Sequence, residues 1–487
     1  MSVLNKKPIR RDGAFVLYWM VAARRPRSNH ALDRAVHLAR ETGRPLVVLE
    51  ALRVGYPFAS DRFHHFVLDG MADNRRAFAK HPVTYYPYVE TRPGEGKGLV
   101  DALAQDAVAI VTDDFPAFFL PRMVRAFAER APVRVEAVDG NGLLPMARAN
   151  TEFKTAVSFR RVLQRTLPAY LGTTPSATPF DGLSLPRAPL ASIAAAERWP
   201  AADEGWLGPD RDLSRLPIDH AVGRVSHEGG HEAARERLAA FLANDLPSYA
   251  DKRKSLEDER TSRLSPYLHF GHVGAHEVFA GVVDAESWDP GRLSSRSAGQ
   301  REGWWGMSAG AEAFLDQLVT WRELGFNRCS LDPHYADYGT LPEWARQTLE
   351  DHRADPREHL YDREQFEQAQ THDELWNAAQ NQLRTQGRIH NYVRMLWGKK
   401  IIEWSESPQQ ALDTMVYLND KYAVDGRDPN SYSGMLWCFG RYDRAWGPER
   451  PIFGKVRWMS SDNTQRKIRC GDYIARFGGG GQGVLAL

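Results

Sequence analysis

Indole is among the few side chains that a photoexcited redox group can oxidise, so the placement of the tryptophans matters first. Thirteen of the fourteen lie after residue 190, and only Trp19 precedes them. Large aromatics ordinarily fill a helical core. Trp397 and Trp404, however, are seven residues apart, about two helical turns, so they project from one face and can approach each other or a shared neighbour. Such a stripe can carry an electron. Two shorter patterns lead elsewhere. HEGGH, from His227 to His231, matches the zinc-protease pattern, whose two histidines must share a helical face around Glu228. Its two consecutive glycines, each costing about 1 kcal/mol relative to alanine in a helix, make it a turn ahead of the helix HEAARERLAAFL. GGGGQG fits GxGxxG through Gly478, Gly480 and Gly483, but no strand and helix surround it, and it reads as a flexible end. The doublet of His64 and His65 has no partner spacing and carries no site.

These residues need a scaffold. A chain of 487 residues is too long for one ordinary core and implies two domains, and 43% apolar against 26% charged residues is the balance of a globular protein. Residues 1–170 alternate short apolar runs (AFVLYWM, PLVVLE, VTYYPYV, AVAIVTD, VRVEAV) with helical stretches, the signature of an α/β domain with a doubly wound parallel sheet. WMVAARRPRSN follows the first strand in place of a glycine fingerprint, which argues against a dinucleotide site there. Residues 171–230, rich in Pro, Ala, Ser and Gly, have linker composition. Residues 231–487 carry helical periodicity and form an all-α domain. The basic start leads into no apolar signal segment, and no run of eighteen apolar residues occurs, so the expectation is a cytoplasmic protein with no membrane partner. Cys329, Cys438 and Cys470 are too scattered for a disulfide framework or a thiolate metal site. A net charge of only +1 means that nucleic-acid binding must come from local patches.

The strings LWNAAQNQLRTQGRIHNYVRMLWGKKIIEW, YLNDKYAVDGRDPNSYSGMLW and DRAWGPERPIFGKVRWM, with TSRLSPYLHFG and FLDQLVTWRE, resemble the class II cyclobutane pyrimidine dimer photolyases of the photolyase and cryptochrome family, over nearly the whole C-terminal domain. The resemblance implies an FAD-binding, generally monomeric enzyme acting on UV-damaged DNA. It implies that Tyr249 and the run Thr261, Ser262, Arg263, Leu264 and Ser265 cradle the flavin phosphates, with Leu268 and His269 continuing that wall. Hydroxyls and backbone N–H groups at a helix start suit a phosphate. Arg394 and Asp425 resemble the ion pair beside the isoalloxazine, and Asn419 the amide facing flavin N5. Trp397, Trp376 and Trp404 fall where class II enzymes carry the electron-transfer triad, and Trp321 and Trp437 where two indoles line the pocket of the flipped dimer. Family members often hold a second antenna chromophore, a deazaflavin or a folate, in the α/β domain.

Damaged DNA needs a basic rim. From Trp437 to Phe477 nine Arg or Lys face four Asp or Glu, with Trp446 and Trp458 interleaved, and Arg441, Arg444, Trp446 and above all Arg457 are the expected DNA contacts. Two departures bear on the reaction. Gln317 stands where dimer-splitting relatives usually carry a glutamate that bonds the thymine ring; an amide still donates to a carbonyl but cannot change protonation state, which implies slower or altered repair. CFGRYDRAW is one residue shorter than the class II pattern, with Arg441 and Tyr442 in place of expected residues, so the pocket rim differs. Glutamine at this position is shared with relatives that repair (6-4) photoproducts, but those carry a second histidine where Asn391 follows His390 here. The rival of another class is a cryptochrome-like blue-light photoreceptor without repair activity.

Overall fold

The computed structural model describes residues 1–479, so Gly480 and Gly483 of the glycine-rich tail lie outside the described residues. Strands β1 (Ser2–Val3), β2 (Phe15–Met20), β3 (Leu46–Leu52), β4 (Val83–Val89), β5 (Ala107–Asp113) and β6 (Val135–Val138) form one sheet in the order β1-β6-β5-β2-β3-β4. All neighbours from β2 to β6 pair in parallel, and only β1 runs antiparallel, against β6. Helices α1 (His30–Thr42), α2 (Asp61–Ala79), α3 (Leu99–Asp106) and α4 (Leu120–Arg130) make the crossovers. The strands are near-continuous apolar runs because helices cover both faces. This is the doubly wound sheet expected from the sequence.

Strand order reverses between β2 and β5, where such sheets usually take a ligand. Here Asp113 fills the place. Its Oδ2 accepts from the backbone N–H groups of Val21, Ala22 and Ala23 at 2.9, 2.8 and 2.9 Å, and its Oδ1 accepts from the Tyr18 hydroxyl at 2.8 Å. Consecutive N–H groups that elsewhere cradle a phosphate hold the chain's own carboxylate. That accounts physically for the missing glycine fingerprint.

The chain divides into two compact units, one of residues 1–149, 166–242 and 263–291, the other of residues 150–165, 243–262 and 292–487. These are not the limits expected at 170 and 230. Residues 171–230 belong wholly to the first unit, and they are packed rather than linking. Phe180 joins the core on one face of the sheet, Ile193 and Trp199 join the core on the other, and Leu207, Leu213 and Leu216 pack with α2 residues. Tyr86 donates to the Trp199 carbonyl, and Trp199 Nε1 donates to the Glu95 carbonyl at 2.8 Å. At about 1.5–3 kcal/mol per buried large side chain, such anchors outweigh a Pro- and Ala-rich composition. HEGGH is a turn, as expected. The helix begins at His231, so His227 shares no helical face with it, and Gly230 has φ +102°.

A buried histidine sets a pH limit on this unit. His272 lies against Phe66 and Phe270, and its Nδ1 accepts from Gly230 N–H at 2.9 Å. Burial pushes its pKa well below the usual value, aided by Arg24, His231, His269 and Arg25. The unfolded chain therefore takes up a proton near pH 6.5 that the folded unit refuses, and stability present above that pH is lost as pH falls. His272→Asn, which keeps an acceptor for Gly230, is expected to flatten the acid limb by about 1.4 kcal/mol per pH unit below pH 6.5. Urea unfolding at a series of pH values reads this slope independently of any change in absolute stability.

The second unit is helical, and six of its helices matter here: α5 (Ala309–Leu315), α6 (Arg322–Leu331), α7 (Glu374–Gln386), α8 (Asn391–Trp404), α9 (Pro408–Tyr422) and α10 (Pro429–Cys438). A π-helical turn, Asp316–Trp321, joins α5 to α6. Among the described residues no helix is long and apolar enough to cross a membrane.

Candidate functional site

Glycines bring the central helices together. A Cβ on Gly325 of α6 would lie 2.8 Å from backbone atoms of Pro429 and Asn430 at the start of α10, and one on Gly398 of α8 would lie 2.7 Å from Cys438 Sγ at its end. Backbone cannot yield as a flexible side chain can. Gly325→Ala is expected to cost about 1–3 kcal/mol, seen as a lower thermal unfolding midpoint.

The first side-chain cluster joins α8, α9 and α10. Arg394, on the first turn of α8, donates through Nη2 to Asn419 Oδ1 and to Ser431 Oγ at 3.0 Å, and its Nη1 lies 3.7 Å from Asp425 Oδ1. Asn419, 1% exposed, donates through Nδ2 to the Gly426 carbonyl at 2.6 Å, which fixes its amide with the oxygen toward Arg394. Arg394, Asn419 and Asp425 are thus brought together. Ser431 completes the set and was not singled out by sequence reasoning, because a lone serine near a helix start ordinarily reads as a cap. A cation whose carboxylate partner stands at 3.7 Å, with an oriented amide beside it, suits a group that gains negative charge.

Three residues after Arg394 on α8 comes Trp397, and with it a chain of indoles. Trp376 Nε1 donates to the Trp397 carbonyl at 3.0 Å, Trp397 Nε1 donates to Gln380 Oε1 at 2.9 Å, and the Trp376 and Trp404 rings meet edge to face at 6.0 Å. All three are at most 3% exposed. The far end reaches polar ground. Trp404 packs on Tyr361 at 5.7 Å and on His372 at 4.9 Å, and the Tyr361 hydroxyl lies 2.8 Å from His372 Nδ1. Tyr361 is half-buried and His372 exposed. Neither was legible beforehand, since both lie outside the periodic helical stretches.

The π turn positions a second aromatic group. Five residues apart, Asp316 and Trp321 would diverge on an α-helix, but the i to i+5 repeat of a π turn aligns them. Trp321 Nε1 donates to Asp316 Oδ2 at 3.2 Å, and Asp316 Oδ1 accepts from Arg160 Nε at 2.9 Å. Arg160 is 2% exposed, so the indole is fixed by a buried guanidinium through a carboxylate. Gln317, on the same turn, and Trp437, near the end of α10, are half-buried, and Asn391, the first residue of α8, is exposed. Beneath Trp437, Lys399 Nζ lies 5.3 Å from the indole centroid and donates to the Cys438 carbonyl. Burial pushes the Lys399 ammonium down to about 8 against the pull of Cys438 and Asp443.

The arginines of the basic segment differ in exposure. Arg457 and Arg444 are exposed; Arg457 lies 5.9 Å from the Trp437 ring and 5.1 Å from the Trp446 ring, and Arg444 covers Trp446 at 4.6 Å. Arg441 is different. It is 3% exposed and donates to the Tyr335 and Thr340 carbonyls, so it ties the chain after α10 to the segment that follows α6. Burial lowers its pKa to about 10. The sequence shows its charge but not that the chain after α10 folds inward.

The expected phosphate cradle divides between the two units. Tyr249, Thr261 and Ser262 belong to the second; Arg263, Leu264, Ser265, Leu268 and His269 belong to the first. Tyr249 is buried with its ring 5.6 Å from Phe314. Thr261 donates to Glu259, which Arg388 grips at 2.6 and 2.8 Å. Arg263 has φ +53°, and Ser265 opens a single helical turn, Ser265–His269. Within the second unit, the hydroxyls of Thr261 and Ser262, the Arg394 guanidinium and the oriented Asn419 amide are donors of the kind that fits a phosphate-bearing cofactor whose ring becomes anionic, as FAD does on reduction.

No family model matches the chain. It is 33% identical over 469 residues to a deoxyribodipyrimidine photo-lyase of Methanothermobacter thermautotrophicus, covering 96% of this chain and 95% of that one. It is 35% identical over 490 residues to the enzyme of the same name from Oryza sativa, covering 96% and 88%. Among solved structures, a class III photolyase from Agrobacterium tumefaciens shares the fold with a TM-score of 0.68 at 17% identity, over 96% of this chain and 86% of that one. A Synechocystis cryptochrome does so with a TM-score of 0.65 at 14% identity, over 95% and 88%.

Proposed function

Because the chain belongs to the deoxyribodipyrimidine photolyase family, we propose that it is a class II enzyme that uses light to split cyclobutane pyrimidine dimers in DNA. The observation that carries this reading is the join on α8: Arg394, at the charged cluster, and Trp397, at the head of the indole chain, are three residues apart and therefore neighbours on one helical face. Reduced FAD, when bound, supplies the photoexcited electron that opens the cyclobutane ring and takes it back afterwards.

The protein's residues do the rest. Arg394, Asn419 and Ser431 present a cation and oriented dipoles where negative charge accumulates, and Asp425 keeps Arg394 in place. Trp397, Trp376 and Trp404 relay electrons inward one at a time, and when Tyr361 gives an electron to the oxidised Trp404 its hydroxyl proton can pass to His372 Nδ1 at the outer end. Trp321, held by Asp316 and Arg160, and Trp437 offer flat faces to the extruded dimer. Gln317 donates its amide N–H to a thymine carbonyl. Arg444 and Arg457 neutralise phosphates around the lesion. No general acid and base pair is needed.

The test is blue-light repair of an oligonucleotide carrying one thymine dimer, followed as restored thymine absorbance against a dark control. Light-dependent restoration by the photoreduced holoprotein is the expected result. A bound, photoreducible flavin without restoration would point to a photoreceptor or another lesion.

A further inference from the structure

Beside the lesion-facing residues lies a concavity of about 290 Å³ of which the steps above use only Arg457. Its walls include Tyr392, the half-buried indoles of Trp446 and Trp458, and the cationic side chains of Arg450, Arg457 and Lys467. Among the described residues that line it there is no Asp or Glu. Two acids of the same segment are already partnered: Glu449 pairs with Lys455 at 3.2 Å, and Asp443 accepts from Trp446 Nε1 at 3.2 Å. Each indole already carries a guanidinium, Arg450 over Trp458 at 4.3 Å and Arg457 over Trp446 at 5.1 Å. Flat aromatic walls, several cations and no carboxylate are the surface on which an unpaired base stacks while its phosphate is neutralised. The volume lies at the small end of the range for ligand pockets, enough for one nucleotide and not for two.

Arg457 ties this concavity to the chemistry. The same guanidinium lies 5.9 Å from Trp437, so Trp437, Arg457 and Trp446 form a continuous ladder from the lesion side to the pocket. Extruding a dimer from a duplex leaves the two bases opposite it without partners. We infer that the pocket between Trp446 and Trp458 captures one of these orphaned nucleotides of the undamaged strand, an inference that rests on the repair reading above. Capture offsets part of the unpairing cost and holds the gap open while the dimer is out. A single-stranded substrate has no such nucleotide, so the pocket raises affinity for duplex lesions alone.

The experiment uses the flavin-loaded protein in the dark. 2-Aminopurine replaces one adenine opposite a thymine dimer in one duplex, and a base flanking the dimer on the damaged strand in another. Binding is expected to quench the first probe and not the second, because only the first base enters the pocket. Trp458→Leu is expected to abolish that quenching and to weaken duplex binding about tenfold, the effect of losing one stacked base, with single-stranded dimer binding unchanged. Lys467→Ala, an exposed change, reports the same selectivity should Trp458→Leu disturb folding, and the bound flavin absorption checks both variants. Quenching of the flanking probe instead, or equal losses for single and double strands, would overturn the inference while leaving repair intact. Failure of the unaltered protein to bind or repair dimers at all would remove the repair reading and this inference with it.

Discussion

Trp376→Phe is expected to cut light-driven reduction of the bound flavin about 100-fold, equivalent to about 3 kcal/mol of barrier, while repair by chemically reduced protein stays nearly unchanged. Trp376 is fully buried and stands between the other two, through a hydrogen bond from its indole to the Trp397 backbone carbonyl and an edge contact with the Trp404 ring. Without it the electron must cross directly between Trp397 and Trp404. Seven residues on a helix separate those two by about 10 Å along the axis, against the 6.0 Å of the existing ring contact. Phenylalanine keeps the packing against Phe366, 5.3 Å away, but is not oxidised by the same photochemistry. Flash photolysis with an external donor reads the first rate, and dimer repair after chemical reduction reads the second. Equal loss of both would mean that the substitution damages the fold or the cofactor site, and that the indole chain is core packing.

The division between what the sequence reveals and what it conceals follows the range of the interactions. The strands and crossover helices were legible because β2, β3 and β5 are short apolar runs bounded by helical periods, a local signal. The indole chain was legible in part, since Trp397 and Trp404 share a helix, while Trp376 was found only through resemblance. Interactions that close over long loops were not legible. Residues 171–230 have linker composition, yet Trp199 reaches Tyr86 and Glu95, more than a hundred residues away in sequence. Arg441 reads as a surface charge until the folded chain surrounds it with the carbonyls of Tyr335 and Thr340. The link from Arg160 through Asp316 to Trp321 depends on a π turn, which has no reliable sequence signature. In each case the missing information is which polar group meets which across a long closure.

A second large effect is expected on the lesion side. Trp437→Ala should weaken binding of dimer-containing DNA by about 30- to 150-fold, the cost of about 2–3 kcal/mol of base stacking, with undamaged DNA affected far less. The comparison matters because Trp437 lies between two cations, Lys399 at 5.3 Å and Arg457 at 5.9 Å. Removing the indole leaves Lys399 buried without its aromatic partner, so some loss of stability accompanies the loss of the stacking face. Trp437→Phe separates the two effects: it keeps a flat face over Lys399 and is expected to lose only part of the affinity. Arg457→Ala should behave differently, lowering the salt slope by about one for lesion and undamaged DNA alike, with a further loss for duplex lesions because Arg457 also lines the pocket beside Trp446. Gln317→Glu tests the remaining departure. A glutamate must carry a proton to donate to the thymine carbonyl, whereas the amide donates at every pH. Repair by the glutamate variant should therefore fall as pH rises past the carboxyl pKa, and repair by the unaltered protein should not. A flat profile for both would show that this side chain makes no hydrogen bond on which ring opening depends.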